Sequence, residues 1–197
     1  MRRLILAAAL AVLSSRADAA PPPAPPPGAA PDLTPPQMAA EEMMNLFNDI
    51  CLARFPNEDA VGMAVAARKA VPLPAAASKA ALLGRSGAAW AVPSGNGHYV
   101  LAVEMPPRHC VVTGPAAEDD GVRTVFGMVV TSFAKGKEFG ALAQPPVREG
   151  KVNGQDATIQ IIAAAPQGRP RQAFVNMSMA NADGTTTLRL TREMDVK

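Results

Sequence analysis

The chain has 197 residues, 48% of them hydrophobic, with 19 basic residues, 17 acidic ones and two cysteines. That length suits one folded domain with its own core once the N-terminal segments are set aside. Three of the basic residues (Arg2, Arg3, Arg16) and one acidic residue (Asp18) fall in the first nineteen positions, so the rest of the chain is formally neutral. A neutral domain lacks the basic footprint of a nucleic-acid binder and the basic stripe that anionic lipid attracts.

Residues 1–19 read as an export signal. Arg2 and Arg3 are followed by the apolar run "LILAAALAVL" (Leu4 to Leu13) and by Ala17-Asp18-Ala19, an A-x-A cleavage site. Ten apolar residues are too few for a spanning helix, which needs about 20, so a cleaved signal is expected in place of a membrane anchor. Residues 20–34 are a Pro/Ala-rich spacer, with nine prolines between Pro21 and Pro36 that favour extended polyproline II. Residues 35–197 are expected to form a single α+β domain.

The domain opens with a helix. Thr34 can cap it, Pro35 suits its first position, and Gln37 completes a capping box. Met43, Leu46, Phe47, Ile50 and Cys51 then fall on one apolar stripe at helical period, and Phe55-Pro56 ends it. Asn57 caps a second helix, and "AAASKAALLG" predicts a short third one stopped at Gly84.

Strand texture begins at Ala88. "AAWAV" and "HYVLAVEM" flank the turn "PSGNG", and "PPR" leads into "HCVVT", which together predict a three-stranded meander. Val122, Val125, Phe126, Val129, Val130 and Phe133 recur at helical spacing, with Asp119 or Asp120 as cap, although β-branched residues and Gly127 argue against a helix there. "ATIQIIAAA" and "QAFVNMSMA" read as strands, and Asp183-Gly184 as a hairpin into "TTTLRL". In "QAFVNMSMA", Ala173, Val175, Met177 and Met179 share one face, and the methionines are expected in the core. The fold class is therefore α+β: N-terminal helices on a largely antiparallel sheet of about 5–6 strands, with one further helix between strand groups. A profilin-like or PAS-like layout has the same order.

Two cysteines in an exported protein are expected to pair, which would staple Cys51 on the first helix to Cys110 in the sheet. The alternative is a nucleophilic Cys110 with His109 or His98 as base. His109 is adjacent in the strand and so points to the opposite face; His98 lies on another strand. No C-x-x-C is present. His98 and His109 with Glu104 or Cys110 fall short of a metal-ligand pattern, and Glu118 to Asp120 read as a helix start better than as a calcium or catalytic site. Nucleophile-elbow and phosphate-loop motifs are absent. Trp90, His98 and Tyr99 remain as a candidate ligand-binding group, with core packing the plainer role for the two rings. No catalytic residue, metal ligand or cofactor is assigned.

The segments "LFNDICLARFP", "WAVPSGNGHYVLAV" and "PPRHCVV", after a signal-like leader and a Pro/Ala-rich spacer, resemble a family of small exported bacterial two-cysteine proteins of unassigned function. The resemblance covers most of residues 40 to 115. It implies a periplasmic location and supports the disulfide, and it carries no catalytic residues.

The expected function is that of an exported periplasmic or secreted binding domain, non-enzymatic, of an inhibitor or envelope-accessory type. Its partner would be a protein or envelope component and not nucleic acid, with self-association through a sheet edge as a further expectation. A small-ligand sensor or carrier, or a hydrolase with unrecognised acid/base residues, are the alternatives. The three differ in what they need: an exposed apolar patch or edge, a cavity at the aromatics, or a cleft holding perturbed acids.

Overall fold

The computed structural model describes residues 35–95, 98–106, 108–115, 120–137, 139–166 and 170–194. The leader, the spacer, the Thr34 cap and the Glu118 to Asp119 run lie outside these residues.

Helix α1 (Pro35–Leu46) starts at Pro35 and runs on through a π-helical segment, Phe47–Leu52. All five stripe residues are buried: Met43, Phe47, Ile50 and Cys51 at 0% exposure and Leu46 at 5%. Helix α2 (Glu58–Ala67) is capped as its sequence predicts, the Asn57 side chain accepting from Ala60 N at 2.9 Å. Asp49 pairs with both Arg54 and Arg68, which ties α2 to the end of the first helix. A two-residue strand β1 (Val71–Pro72) and helix α3 (Ala75–Ala81) follow.

Strands β2 (Gly87–Pro93), β3 (His98–Glu104) and β4 (His109–Pro115) form the expected antiparallel meander. Helix α4 (Asp120–Gly136) is the helix between strand groups. Its Val122, Phe126, Val130 and Ala134 are buried, while Val125 is 47% exposed. The period of the large side chains outweighs the cost of the β-branched residues because one face has a sheet to bury against. Strands β5 (Leu142–Ala143), β6 (Arg148–Val152), β7 (Gln155–Ala164), β8 (Gln172–Ala180) and β9 (Thr186–Met194) complete the described strands.

The described residues thus hold nine strands in one antiparallel sheet, ordered β1-β2-β3-β4-β9-β8-β7-β5, with β6 also on β7. This corrects the expected 5–6 strands. The additions are two-residue pieces, β1 and β5, and the charged strand β6. Strands β5 and β6 pair with opposite ends of β7, and Pro145 and Pro146 lie between them. Strand β6 joins β7 through Asn153-Gly154, whose φ values of +51° and +82° are those a two-residue hairpin demands. At the far side β1 presents two residues, one of them proline. Both edges are therefore short or broken, as expected where edge pairing is discouraged.

One face of the sheet carries the helix layer. Leu101, Val103, Val112, Ile162, Phe174, Leu188 and Leu190 pack there against α1, the π-helical segment and α4. The Phe47 and Phe126 rings meet at 6.0 Å, and those of Phe133 and Phe174 at 5.9 Å. Cys51 and Cys110 are bonded across this interface, with Cα atoms 5.4 Å apart. On the other face, Leu82 after α3 packs with Ala89, Ala102 and Val111, so α3 covers only the β2–β4 end.

Inside the helix layer sits a buried cation. Arg192 on β9 is 4% exposed. Its Nη1 shares its protons among the carbonyl oxygens of Cys51 (2.9 Å), Leu52 (3.1 Å) and Phe55 (2.8 Å), and its Nε donates to Gln172 at 2.9 Å. The guanidinium lies 4.9 Å from the Phe133 ring centre and 5.5 Å from that of Phe55. Burial pulls its pKa down to about 10, still charged at neutral pH. These carbonyls end the first helix and have no intrahelical donor, so the cation satisfies them and meets the negative end of the helix dipole.

Candidate functional site

Alternation along β8 puts Gln172, Phe174, Asn176 and Ser178 toward the helices and buries them. Ala173, Val175, Met177 and Met179 point the other way and are half-buried. This corrects the expectation that Met177 and Met179 belong to the core. Phe174 apart, the strand is inverted relative to its polarity: amide and hydroxyl groups face in, and the remaining apolar side chains face out. The inward amides are held by neighbours, Asn176 donating to Gln160 (3.4 Å) and Gln160 to the Arg123 carbonyl of α4 (3.2 Å).

Pairing extends this apolar patch across the sheet, because directly opposed residues point to the same side. One row reads Arg148, Ile159, Met177, Arg189 and Thr113; the next Ile161, Val175, Thr191 and Val111; the next Ala163, Ala173, Glu193 and His109. The block of Ile159, Ile161, Val175 and Met177 belongs to neither buried cluster of the described residues. An antiparallel sheet with a free face normally turns polar residues outward. Here the outward face of β7 and β8 is apolar and half-buried.

Charges frame this block. Arg189 stands beside Met177 with no carboxylate partner among the described residues. Burial, with a smaller contribution from Arg85, lowers its pKa from the ordinary guanidinium value. Two rows away His109 lies between two carboxylates. Its Nδ1 bonds Glu104, and its Nε2 is 3.0 Å from Glu193 Oε1, an ion-pair distance without hydrogen-bond alignment. A carboxylate can only accept, so Nδ1 carries the proton toward Glu104.

The residues singled out in the sequence are distributed, not gathered. Cys110 faces the helices and is bonded to Cys51, while His109 faces outward as strand alternation requires. Tyr99 is 1% exposed in the main core, its hydroxyl donating to the Ala39 carbonyl at 3.1 Å. Burial raises its pKa above the usual phenol value. Trp90 packs half-buried against the same core. His98 is exposed on the opposite side of β3 from Tyr99. Trp90, His98 and Tyr99 line none of five clefts among the described residues. One of these, about 430 Å³ between α1 and α4, is walled by Met44, Val122, Val125 and Val129. Another, about 250 Å³, opens beside Arg192, Phe55 and Phe133.

Among the described residues no three His, Cys, Asp or Glu side chains converge in a way that could hold a metal ion. No helix among them is long and apolar enough to cross a membrane. Comparison with protein-family models and with curated proteins finds no match to this chain.

Proposed function

We propose that this chain is an exported, non-enzymatic interaction domain of the cell envelope whose working surface is the outer face of β7–β9. The inversion of β8 carries the reading: a strand that buries Gln172, Asn176 and Ser178 while presenting Val175, Met177 and Met179 leaves apolar surface for something outside the fold. The leader, the proline-rich spacer and the resemblance to small exported two-cysteine proteins support a periplasmic or secreted setting, and the Cys51–Cys110 bond suits an oxidising compartment. The broken edges at Pro72 and at Pro145-Pro146 favour the face over a sheet edge as the contact.

The test is site-specific photo-crosslinking in the producing cell. A photoreactive residue at Met177 is compared with one at Met63, 69% exposed on α2 and away from the sheet face. A crosslinked adduct from position 177 that is absent from position 63 supports the reading. Equal labelling at both positions, or none at 177, defeats it.

A further inference from the structure

The geometry points to a second site, on the helix side of the sheet: the cleft beside Arg192 binds a small organic acid, with its carboxylate on the guanidinium and its apolar body among phenylalanine rings. This goes beyond the reading of the outer face and is independent of it. Alternation along β9 turns Arg189, Thr191 and Glu193 outward and Arg192 toward the helices.

Arg192 is 4% exposed, yet its donors are not all used. Nε donates to Gln172, and Nη1 serves the carbonyls of Cys51, Leu52 and Phe55. The remaining nitrogen, Nη2, has no hydrogen-bond partner among the described residues. The sealed side-chain atoms without a partner among those residues are His109 Nε2 and Asn176 Oδ1, so Nη2 is not closed off. Its opening is the cleft of about 250 Å³ that Arg192 lines.

Charge, walls and size select the ligand. The charged residues at this cleft are Arg192 and Lys137, the latter exposed just past α4. No carboxylate among the described residues lines the cleft or pairs with either. Burial, with nothing acidic to offset it, is what pulls the Arg192 pKa down. Phe55, Phe133, Phe139 and Met194 supply apolar walls. An ordered water needs about two to four polar partners; these walls offer it none, and it brings no charge. A carboxylate takes a charge-assisted hydrogen bond from Nη2 and neutralises the buried cation. Sites for drug-sized ligands start at about 300 Å³, so this occupant is smaller: one ring or a short branched chain bearing a single carboxylate.

The experiment is a benzoate titration of the purified full chain followed by NMR, reading the backbone amides and the Arg192 Nε–H. Benzoate should give saturable shifts centred on Phe55, Phe139 and Arg192. Benzamide has the ring without the charge and acetate the charge without the ring. Each should bind at least about tenfold more weakly than benzoate. Gln172→Glu keeps an acceptor for Nε but sets a carboxylate on the guanidinium, and should weaken benzoate at least about tenfold. Lys137→Glu changes an exposed residue and should weaken it several-fold. It carries the test where Gln172→Glu fails to fold.

The absence of saturable shifts at millimolar benzoate overturns the inference. Equal affinity for benzoate and benzamide overturns it too, as do shifts centred on the outer face of β7–β9. Parent-like benzoate affinity in a folded Gln172→Glu chain, or in Lys137→Glu where that chain does not fold, has the same force. The crosslink at position 177 reads the other face of the sheet, so either proposal can fail without the other.

Discussion

The ring of Tyr99 on β3 lies directly against Gly114 on β4. A methyl group on Gly114 would sit 2.3 Å from Tyr99 Cδ1 and 2.8 Å from Cε1. The bare backbone at 114 is what lets the ring lie over β4 while its hydroxyl reaches the Ala39 carbonyl of α1. Gly114→Ala should therefore push the ring toward α1 and cost about 1–3 kcal/mol by overpacking. Urea unfolding measures this directly. Tyr99→Leu combined with Gly114→Ala should cost less than the two single changes summed. An unchanged midpoint for Gly114→Ala would show that the strand gives way freely.

Arg192 is the second point where one residue holds two layers. Arg192→Met keeps most of the volume and leaves the carbonyls of Cys51, Leu52 and Phe55 without their donor. The expected loss is about 3–5 kcal/mol, as when a buried charged group's partner is removed. Arg192→Lys keeps the charge but loses the planar stacking on Phe133 and the bond to Gln172, so an intermediate loss is expected. Stability of both variants equal to that of the parent chain would contradict the clamp.

The disulfide closes a loop with a sequence separation of 59 residues. Cys51→Ala with Cys110→Ala should lower stability by about 4 kcal/mol on the chain-entropy account. Thermal and urea unfolding of the double variant provide the measurement. A loss well under 1 kcal/mol would place the stabilisation of this helix elsewhere.

The turn before β9 gives a pH-dependent prediction. Thr185 donates to Asp183 from its hydroxyl at 2.6 Å and from its backbone at 3.0 Å, and both bonds lower the Asp183 pKa from its ordinary 3.8. The native carboxylate holds its proton less tightly than the unfolded one. Its contribution is present above pH 3.8 and is lost as pH falls through the lower native value. In Thr185→Ala, the Asp183 titration followed by NMR should move up toward 3.8, and the acid limb of the stability curve should flatten. A midpoint that stays in place would assign the shift to the backbone bond alone.

Most of the element order was legible because its signals are local. The Met43 to Cys51 stripe, the Asn57 cap and the Asp183-Gly184 hairpin each depend on residues a few positions apart. Strand β6 went unread despite the Asn153-Gly154 turn, because the charged segment "REGKV" lacks the apolar alternation that marks a strand. Strands β1 and β5 have two residues each and exist only because a neighbour's free edge is there to pair with. The candidate face was readable in composition and not in direction. Alternation in β8 separates Val175 and Met177 from Phe174 and Asn176, but it does not say which set meets the helices. That choice is made by long-range pairing, with Leu188 and Leu190 on β9, Ile162 on β7 and the Phe133 ring on α4 fixing the inward side. The Glu104–His109–Glu193 group was hidden for the same reason, since three strands bring it together.

The prolines at 72, 145 and 146 bear on how far assembly can go. A sheet ending in a full-length unpaired strand is a growing tip: each added chain presents the edge it has just consumed, and the product is a fibre. Here one tip is two residues long and ends at a proline, and the other is split by a pair of them. Growth through the sheet plane is discouraged at both ends. A contact through a sheet face, in contrast, offers no fresh edge when it forms.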